Sequence, residues 1–434
     1  METSVASVYE QMTNEELDEQ IAQLEAEAEK LRARGLKLDM ARGKPSPEQV
    51  DLSRPMLDVL TSSTDLIDEG VDAGNYGCPD GLPAARRLMA DLLGVDADNL
   101  ILGGSSSLNI MHDVIVHGWI HGVRGCEPHA AQAARGPLKF LCPSPGYDRH
   151  FAVSASVGYT NVPVRMTPEG PDMDEVVRLV ENDPTVKGIW CVPKYSNPTG
   201  ITYSDEVVRR FAALRPAAPD FRIFWDNAYA IHDFNEEPDY LLDIFGAVAA
   251  EDHDNLVYEF ASTSKVTFPG SGIACVTASP ADIADLRKTF NVERVCSDKL
   301  MQLAHVRWFG DADGVRAHMV EHARILAPRF ELVDEKLESG LGDLECATWS
   351  RPRGGYFVSF DGPKGSAKKI VALAEELGVK MTPAGATWPY GKDPDDTNIR
   401  IAPSYPSLED LGAALDVFVT CVRLVSARLA REAR

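Results

Sequence analysis

The stretch Arg222-Ile223-Phe224-Trp225-Asp226-Asn227-Ala228-Tyr229-Ala230 places a carboxylate at the end of an apolar, strand-forming run. Such surroundings exclude water, and an unpaired buried carboxylate costs on the order of several kcal/mol. No Lys or Arg follows within the turn. The group that offsets the charge of Asp226 is therefore expected to come from a distant part of the chain, or not from protein at all.

Five other short apolar runs share this character, and helical patterns lie between most of them. This alternation predicts βαβ units, and therefore an α/β fold with a mostly parallel sheet between layers of helices. The five runs are 99–103 (NLILG), 138–142 (LKFLC), 186–192 (VKGIWCV), 255–260 (NLVYEF) and 272–277 (GIACVT).

The two ends of the chain carry longer helical patterns. Residues 14–34 begin with acidic and end with basic side chains, the order that a helix dipole favours. After residue 310 helical patterns cover 312–340, 366–377 and the chain from about 407. The three expected parts are a large α/β domain over 51–310, a small α+β domain over 311–434, and an N-terminal segment over 1–50 that joins the small domain.

Overall charge and cysteine content narrow the possible functions. The chain of 434 residues has a formal net charge of −23, which disfavours nucleic acid and membrane surfaces as partners. Its eight cysteines form no C-x-x-C pair, which favours a reducing compartment over a disulfide framework. The N-terminus is acidic where a signal peptide is basic and then apolar. We expect a cytoplasmic protein that binds small metabolites.

Polar clusters follow most of the apolar runs. Ligands of open α/β sheets bind in the crevice outside the carboxyl ends of the strands, so we expect these clusters to converge on one site. The clusters are Gly104–Ser107, Pro143–Arg149, Pro193–Gly200, Asp226–Tyr229 and Ser262–Lys265.

Two of these clusters carry opposite charges that one cofactor can join. A lysine such as Lys265, held away from water, can form a Schiff base with a carbonyl group. Pyridoxal 5'-phosphate needs such an amine on its aldehyde and an anion, here Asp226, against its ring nitrogen. The hydroxyls and backbone N–H groups of Gly104–Ser107 suit its phosphate, although a serine helix cap explains that row equally well.

Several motifs stand along the chain in a fixed order: Asn197-Pro198-Thr199-Gly200, Asp226-x-x-Tyr229, Ser262-x-Ser264-Lys265 and Arg400. In this order and spacing the chain resembles the fold-type I aminotransferases over nearly its whole length. It is more narrowly similar to the bacterial aspartate aminotransferases of subgroup Ic. The segments that carry this narrower similarity are Leu38–Ser46, Asn75–Gly77, Pro145–Phe151, Trp225–Ala230 and Phe309–Ala312.

The resemblance implies an aspartate-aminotransferase-like fold, a homodimer and a role for each matching residue. Lys265 is expected to carry the cofactor and then move the proton of the substrate α-carbon. Asp226 is expected to keep the ring nitrogen protonated, and Tyr229 and Asn197 to hydrogen-bond the 3'-oxygen. The phosphate is expected to contact Gly104, Ser105, Ser106, Ser262, Ser264 and, from a second subunit, Tyr76, and the substrate α-carboxylate to contact Arg400, Gly43 and Asn197.

The chain departs from the family pattern at two positions. Most fold-type I aminotransferases have an arginine for the phosphate where this chain has Gly272, so hydroxyls and a helix N-terminus, or another base such as Lys299, must serve instead. Other branches cover the cofactor ring with an aromatic residue at the position of Ser144. Tyr147 is therefore the candidate for stacking on the ring.

A dicarboxylic substrate needs a second cation, because an unpaired carboxylate in a closed site is costly. Arg149 is the first candidate, since it follows the turn beside the cofactor, and Lys299 and Arg42 are the next. A surface salt bridge between Arg149 and an acid such as Asp148 is the alternative without a functional role.

Two histidine pairs, His117/His121 and His318/His322, have the i, i+4 spacing of metal ligands. Neither pair has a third ligand nearby in the sequence, so no metal is expected.

These features together predict a pyridoxal-phosphate-dependent aspartate aminotransferase with a ping-pong mechanism. An aminotransferase for aromatic or kynurenine-like amino acids is the alternative within the same cofactor class. A non-catalytic regulator built on the same fold is the alternative from another class, although only about 35 residues precede the family motifs, too few for a DNA-binding domain.

Overall fold

The fold is described from a computed structural model of the chain, which describes residues 7–234, 237–251 and 255–434, so the first six residues of the N-terminal segment lie outside it. The strands are β1 (Leu38–Asp39), β2 (Ile67–Asp68), β3 (Val71–Asp72), β4 (Leu100–Leu102), β5 (Lys139–Ser144), β6 (Thr160–Thr167), β7 (Gly170–Pro171), β8 (Val186–Cys191), β9 (Arg222–Asp226), β10 (Val257–Ser262), β11 (Ala274–Thr277), β12 (Thr348–Trp349), β13 (Val358–Asp361), β14 (Val379–Lys380) and β15 (Asn398–Ile401). The helices are α1 (Val8–Gln11), α2 (Asn14–Ala33), α3 (Pro47–Leu52), α4 (Pro83–Leu93), α5 (Ser107–His121), α6 (His129–Ala133), α7 (Asp148–Val157), α8 (Met173–Asn182), α9 (Asp205–Ala212), α10 (Ile244–Ala249), α11 (Pro280–Glu293), α12 (Lys299–Phe309), α13 (Ala312–Leu341), α14 (Ala367–Glu376) and α15 (Leu408–Glu432).

Eight strands form the central sheet, in the order β4-β11-β10-β9-β8-β5-β6-β7. Adjacent strands from β10 to β6 run parallel, whereas β11 is antiparallel to both of its neighbours. All six apolar runs form strands of this sheet, so the predicted mostly parallel α/β fold is confirmed. Because β5, β8, β9 and β10 are parallel, their carboxyl ends lie along one edge.

Strand β9 is buried along its whole length because helices cover both faces of the sheet. Ile223 and Trp225 pack into one hydrophobic core with helices α8, α9 and α10, while Phe224 packs into the other with α5, α7 and α11. Side chains alternate along a strand, so Asp226 lies on the same face as Phe224. This register directs the carboxylate toward helices α5 and α7.

Strand β6 was not among the predicted strands. Its sequence contains Pro163, and a proline within a run argues against a central strand because it cannot donate to the ladder. The structure places β6 beside the edge of the sheet, where its outer neighbour is the two-residue strand β7.

A second layer of structure combines the two ends of the chain. Strand β1 pairs with β14, and Leu17 and Leu24 of α2 share one core with Phe360 and Phe418. The predicted N-terminal helix and the three predicted C-terminal helices are present as α2, α13, α14 and α15. Strands β12, β13 and β15 form a small antiparallel sheet that carries Arg400. The domain boundaries at residues 51 and 311 stay predictions.

The histidine pairs have protein partners. His117 contacts Asp285 at 3.1 Å and Thr289 at 2.6 Å, and His318 contacts His322 at 3.2 Å. Within the described ranges, no three His, Cys, Asp or Glu side chains form a group that could hold a metal ion. In the same part of the chain, no helix has both the length and the apolar character needed to cross a membrane.

A buried ion pair fixes the start of β9. The guanidinium of Arg222 donates from Nε and Nη2 to Oδ1 of Asp282, at 3.1 and 2.8 Å. Both residues are buried, and Ser279 donates to the other carboxylate oxygen. The strand that ends at Asp226 is thus held at its opposite end by α11.

Asp282→Ala should lower the free energy of unfolding by about 3 to 5 kcal/mol, because it leaves the buried guanidinium of Arg222 without a counter-charge. Urea denaturation followed by tryptophan fluorescence measures the change. Glu432→Ala removes the exposed partner of Lys369 and serves as the control, with little expected shift. Equal shifts in the two variants would contradict a special role for the buried pair.

Candidate active site

A cavity of about 260 Å³ opens at the carboxyl edge of the sheet. Its walls include Lys44 and Phe357, for which the sequence suggested no role, and Ser107 of the serine row. The structure also brings eight of the predicted site residues together here: Gly43, Ser106, Tyr147, Asn197, Asp226, Tyr229, Ser264 and Lys265. We refer to this space as the inner cavity.

The buried carboxylate of Asp226 has only one of its two oxygens satisfied by protein. Oδ2 accepts a hydrogen bond from Nε2 of His150 at 2.9 Å. Oδ1 is buried and has no hydrogen-bond partner among the residues that the structure describes. A buried acceptor of this kind is costly unless a donor completes it. Asp226 therefore presents an anionic acceptor to a donor in the inner cavity.

His150 is the protein partner of one oxygen of Asp226, and the sequence analysis assigned it no role. It is buried in the first turns of α7, and its ring stacks on Trp190 with 4.4 Å between centroids and 10° between planes. The sequence offered one indication of such a role, because His150 belongs to the segment Pro145–Phe151, which follows the end of β5. Position alone did not reveal that its ring turns toward β9, which is separated from β5 by strand β8.

Lys265 lines the inner cavity from the turn between β10 and β11. The surrounding protein lowers the pKa of its ammonium group, because removal from water disfavours the charged form, and the negative charge of Asp226 opposes this effect in part. Its Nζ lies 5.0 Å from the centroid of the Tyr229 ring. The amine is thus held beside an aromatic wall and biased toward its neutral, nucleophilic form.

Two tyrosines line the inner cavity as neutral phenols. Burial raises the pKa of Tyr229, and the nearby Tyr147 and Asp226 add to the effect. Burial also raises the pKa of Tyr147 to about 12, with a further contribution from Asp226. Both hydroxyls therefore keep their protons at neutral pH and can donate hydrogen bonds.

Hydroxyl groups gather on the side of the cavity formed by α5 and the turn after β10. Ser106 caps α5 and accepts a hydrogen bond from the N–H of Leu108 at 3.3 Å. The helix cap that the serine row suggested is therefore present at Ser106. Ser264 lines the cavity and lies 2.8 Å from Ser262, oxygen to oxygen. The N-terminus of a 15-residue helix and nearby hydroxyls suit an anion. Gly104 and Ser105 immediately precede this helix but do not line the cavity.

Arg400 reaches the site from the small sheet. Its Nη1 donates to Oδ1 of Asn197 at 3.2 Å and to Oδ1 of Asp148 at 3.0 Å. The guanidinium also lies over the ring of Phe357, 4.8 Å from its centroid. Arg400 is therefore fixed beside Asn197, which lines the inner cavity, although Arg400 itself lines a second space.

This second space, the outer cavity, has a volume of about 800 Å³ and shares Gly43, Tyr147 and Phe357 with the inner one. The exposed Arg149 lies here and not in the inner cavity. Basic residues outnumber acidic ones along its wall, which is lined by Arg42, Arg149, Lys368, Lys380 and Arg400 against Asp148 and Glu375. The outer cavity is a cationic approach to the site in a strongly acidic chain.

Two predicted residues lie elsewhere. Tyr76 is 80% exposed and does not line the inner cavity, and its predicted contribution to a second subunit stays a prediction. Lys299 is buried, and its ammonium donates to the backbone oxygens of Asn75 and Gly77 at 2.6 and 2.8 Å. Lys299 thus holds the turn that presents Tyr76, and it lines neither the inner nor the outer cavity.

The arrangement fits pyridoxal phosphate, which needs an anionic acceptor for its ring N–H, an amine for its aldehyde and an anion site for its phosphate. Asp226 offers a buried oxygen without a partner in the described part of the chain. Lys265 offers an amine of lowered pKa. The hydroxyls at α5 and after β10 offer the anion site, and none of the described residues that line the inner cavity is an arginine.

Comparison with known proteins identifies the family of the chain. The family model described as aspartate amino-transferase matches residues 12–433. An aspartate aminotransferase of Corynebacterium glutamicum is 43% identical over 404 residues, 92% of each chain. A Mycolicibacterium smegmatis protein with a provisional aminotransferase name is 49% identical over 91% of this chain and 92% of its own. The crystal structure of an aspartate transaminase from Corynebacterium glutamicum superposes with a TM-score of 0.94 at 40% identity, over 99% of this chain and 100% of that one. The chain therefore belongs to the aspartate aminotransferase family, the fold-type I aminotransferases.

Proposed function

We propose that this chain is an aspartate aminotransferase that uses pyridoxal phosphate to pass an amino group from aspartate to 2-oxoglutarate in a ping-pong sequence. The observation that carries the proposal is that an acid, Asp226, and an amine, Lys265, line one cavity. Asp226, whose Oδ1 has no hydrogen-bond partner among the described residues, and Lys265, which carries the amine, both line the same cavity of about 260 Å³. The family and its Corynebacterium glutamicum member support the choice of reaction.

When bound, pyridoxal phosphate supplies an aldehyde that takes the amino group and a ring that accepts the electron pair of the substrate α-carbon. Asp226 would accept a hydrogen bond from its ring nitrogen and favour the protonated ring. Tyr229 and Asn197 would donate to its 3'-oxygen, and Tyr147 would cover its ring. The residues proposed for its phosphate are Gly104, Ser105, Ser106, Ser262, Ser264 and Tyr76 of a second copy of this chain.

Lys265 would then act as general base and acid at the substrate α-carbon. Its lowered pKa favours the neutral amine, which can remove the α-proton. Its place beside the Tyr229 ring, 5.0 Å from the centroid, limits the directions that the amine can sample. The same Nζ can then deliver this proton to the aldehyde-derived C4' carbon of the cofactor, so a single residue would serve both steps of the proton transfer.

The two cavities suggest how a dicarboxylate would lie. Arg400 would bind the α-carboxylate, helped by Asn197 and the backbone of Gly43. The distal carboxylate would reach toward Arg149, with Arg42 as the second candidate, because both line the outer cavity together with Arg400. This concentration of basic side chains favours a dianionic substrate over an aromatic one.

Gly43 shows how closely the backbone must approach this site. A Cβ at this position would lie 2.1 Å from the ring of Phe357, the ring that also supports the Arg400 guanidinium. Only glycine leaves room for the ring and keeps the backbone N–H near the proposed carboxylate position.

Lys265→Ala should slow turnover of aspartate by about 10³-fold or more, because it removes the proton-transfer group. In the wild-type holoenzyme, aspartate should change the visible absorbance of the bound cofactor faster than alanine or phenylalanine does. Lys364→Ala, at an exposed lysine, is the control and should behave as wild type.

Wild-type turnover in Lys265→Ala would contradict the assigned base. If phenylalanine or kynurenine changed the absorbance fastest, the aromatic alternative would replace aspartate. If no amino acid changed the absorbance, the non-catalytic alternative would replace the proposed aminotransferase.

Arg149→Ala should reduce kcat/KM for aspartate by about 10- to 100-fold, because a carboxylate would lose a charge-assisted hydrogen bond. Turnover of alanine, which has no distal carboxylate, should change little. Steady-state kinetics with both amino acids measure the difference, and Arg178→Ala, at an exposed arginine of α8, is the matched control. Equal losses for aspartate and alanine would exclude Arg149 as the distal cation and transfer the test to Arg42.

Gly272 occupies the place where relatives carry the phosphate arginine, and the structure leaves no room there for a side chain. A Cβ would lie 2.9 Å from the backbone nitrogen of Ser264 and 3.1 Å from Oγ1 of Thr263. These atoms belong to the turn that positions Lys265, so the close contact cannot be relieved by a flexible side chain. The lack of room at Gly272 supports the proposal that the hydroxyls and the N-terminus of α5 hold the phosphate in this chain.

Gly272→Arg should weaken the affinity for pyridoxal phosphate by about tenfold, as expected from overpacking of roughly 1 to 3 kcal/mol. Gly272→Ala should do the same, because the Cβ already displaces the turn. Gly270→Ala is the control, since its Cβ would meet nothing within 4 Å. Titration of the apoenzyme with the cofactor measures the three affinities. Tighter binding in Gly272→Arg would show that the arginine fits and that its loss is a true deficit.

A further inference from the structure

The arginine proposed to bind the substrate already holds a carboxylate of this chain. Nη1 of Arg400 lies 3.0 Å from Oδ1 of Asp148 and 3.2 Å from Oδ1 of Asn197. An Nη group carries two hydrogens, so these two acceptors use both of them. The structure thus shows Arg400 in a charged pair within the site itself.

The remaining donors of Arg400 are not equally open. Its Nε is enclosed by protein and has no acceptor among residues 7–234, 237–251 and 255–434. A carboxylate that approaches from the cavities therefore meets the terminal nitrogens first. A two-pronged grip on that carboxylate needs two parallel N–H groups, and Asp148 already engages one of the two nitrogens.

Two carboxylates on one guanidinium also repel each other. Asp148 and an incoming α-carboxylate would share a single positive charge, in a place where the arginine is nearly buried. Like charges at such separations disfavour each other strongly when water is excluded. Binding of the substrate is therefore easiest if Asp148 moves away.

Asp148 is well placed to move. It is the first residue of α7, directly after the cap residue Tyr147, and the N-terminus of a helix favours a carboxylate without fixing its rotamer. Its side chain is 34% exposed, whereas that of Arg400 is 9% exposed. It lines the outer cavity, so rotation toward solvent requires no change in the backbone.

We propose that Asp148 is a displaceable internal carboxylate that occupies the α-carboxylate position of Arg400 before the substrate binds. It orients the guanidinium and offsets its charge. The apparent affinity for the substrate is then the intrinsic affinity multiplied by the fraction of molecules in which Asp148 has left Arg400. Asp148 is thus a positioning residue that raises KM for every substrate whose α-carboxylate binds Arg400. This inference rests on the proposed role of Arg400 and applies to any amino acid substrate, dicarboxylic or not.

Two substitutions of Asp148 test whether its side chain competes with the substrate carboxylate for Arg400 or only orients the guanidinium. Asp148→Asn keeps the shape and one acceptor oxygen but removes the charge, and Asp148→Ala removes both. If Asp148 competes, both variants of the holoenzyme should bind carboxylates about tenfold more tightly, a change of about 1.4 kcal/mol. Calorimetric titration with succinate and with propionate measures this, because neither probe can be transaminated. Thermal melting of each variant checks that the fold is intact.

Glu375→Gln is the matched control. It makes the same change of charge on the wall of the same cavity, and Glu375 is not a hydrogen-bond or ion-pair partner of Arg400 in the described part of the chain. It should alter the affinity of either probe by less than about twofold, as a screened surface charge does.

The outcomes distinguish this inference from the proposed function. Tighter binding of both probes in the two Asp148 variants, but not in Glu375→Gln, supports displacement. Weaker or unchanged binding in Asp148→Ala would overturn it, since a group that only orients Arg400 cannot be removed with gain, and an equal gain in Glu375→Gln would also overturn it. If wild type bound succinate no better than propionate, the dicarboxylate specificity would fail while the competition test still stands on propionate.

Discussion

The hydrogen bond between His150 and Asp226 is the constraint on which the site depends. It satisfies one oxygen of a carboxylate buried at the end of a central strand and leaves the other for a donor in the cavity. An acid with both oxygens satisfied by protein would have no use for a ligand, and one with neither satisfied would be too costly to bury. The partial satisfaction of Asp226 therefore combines a tolerable fold with a strong preference for a cationic N–H donor.

Much of the fold and half of the site could be predicted because both follow from local patterns. Apolar runs marked six strands, polar clusters followed five of them, and parallel pairing then brought Asn197, Asp226 and Lys265 together. Strand β6 escaped because Pro163 interrupts its pattern. His150 escaped because its role depends on which way a helix side chain points. The contacts of Lys299 could not be predicted either, because its acceptors are backbone oxygens that no sequence pattern marks.

The distribution of charge explains how an acidic protein can accept anionic substrates. A net charge of −23 repels dicarboxylates at long range, but that repulsion is screened beyond about 8 Å at physiological salt. Inside that distance, the basic wall of the outer cavity dominates the local field. The arginines and lysines nearest the site thus decide which ligands approach, while the remaining surface charge bears on solubility.

The three charged groups of the site offset their burial in different ways, and the difference follows from their chemistry. Lys265 can release a proton, so burial lowers its pKa and the amine becomes reactive. Arg400 cannot release one at any accessible pH, so it needs an internal anion, and Asp148 provides it. Asp226 accepts a hydrogen bond from His150 at one oxygen only, so the other oxygen stays open to a donor in the cavity. A lysine in place of Arg400 could escape its charge, and the site would then lose the fixed cation that a carboxylate requires.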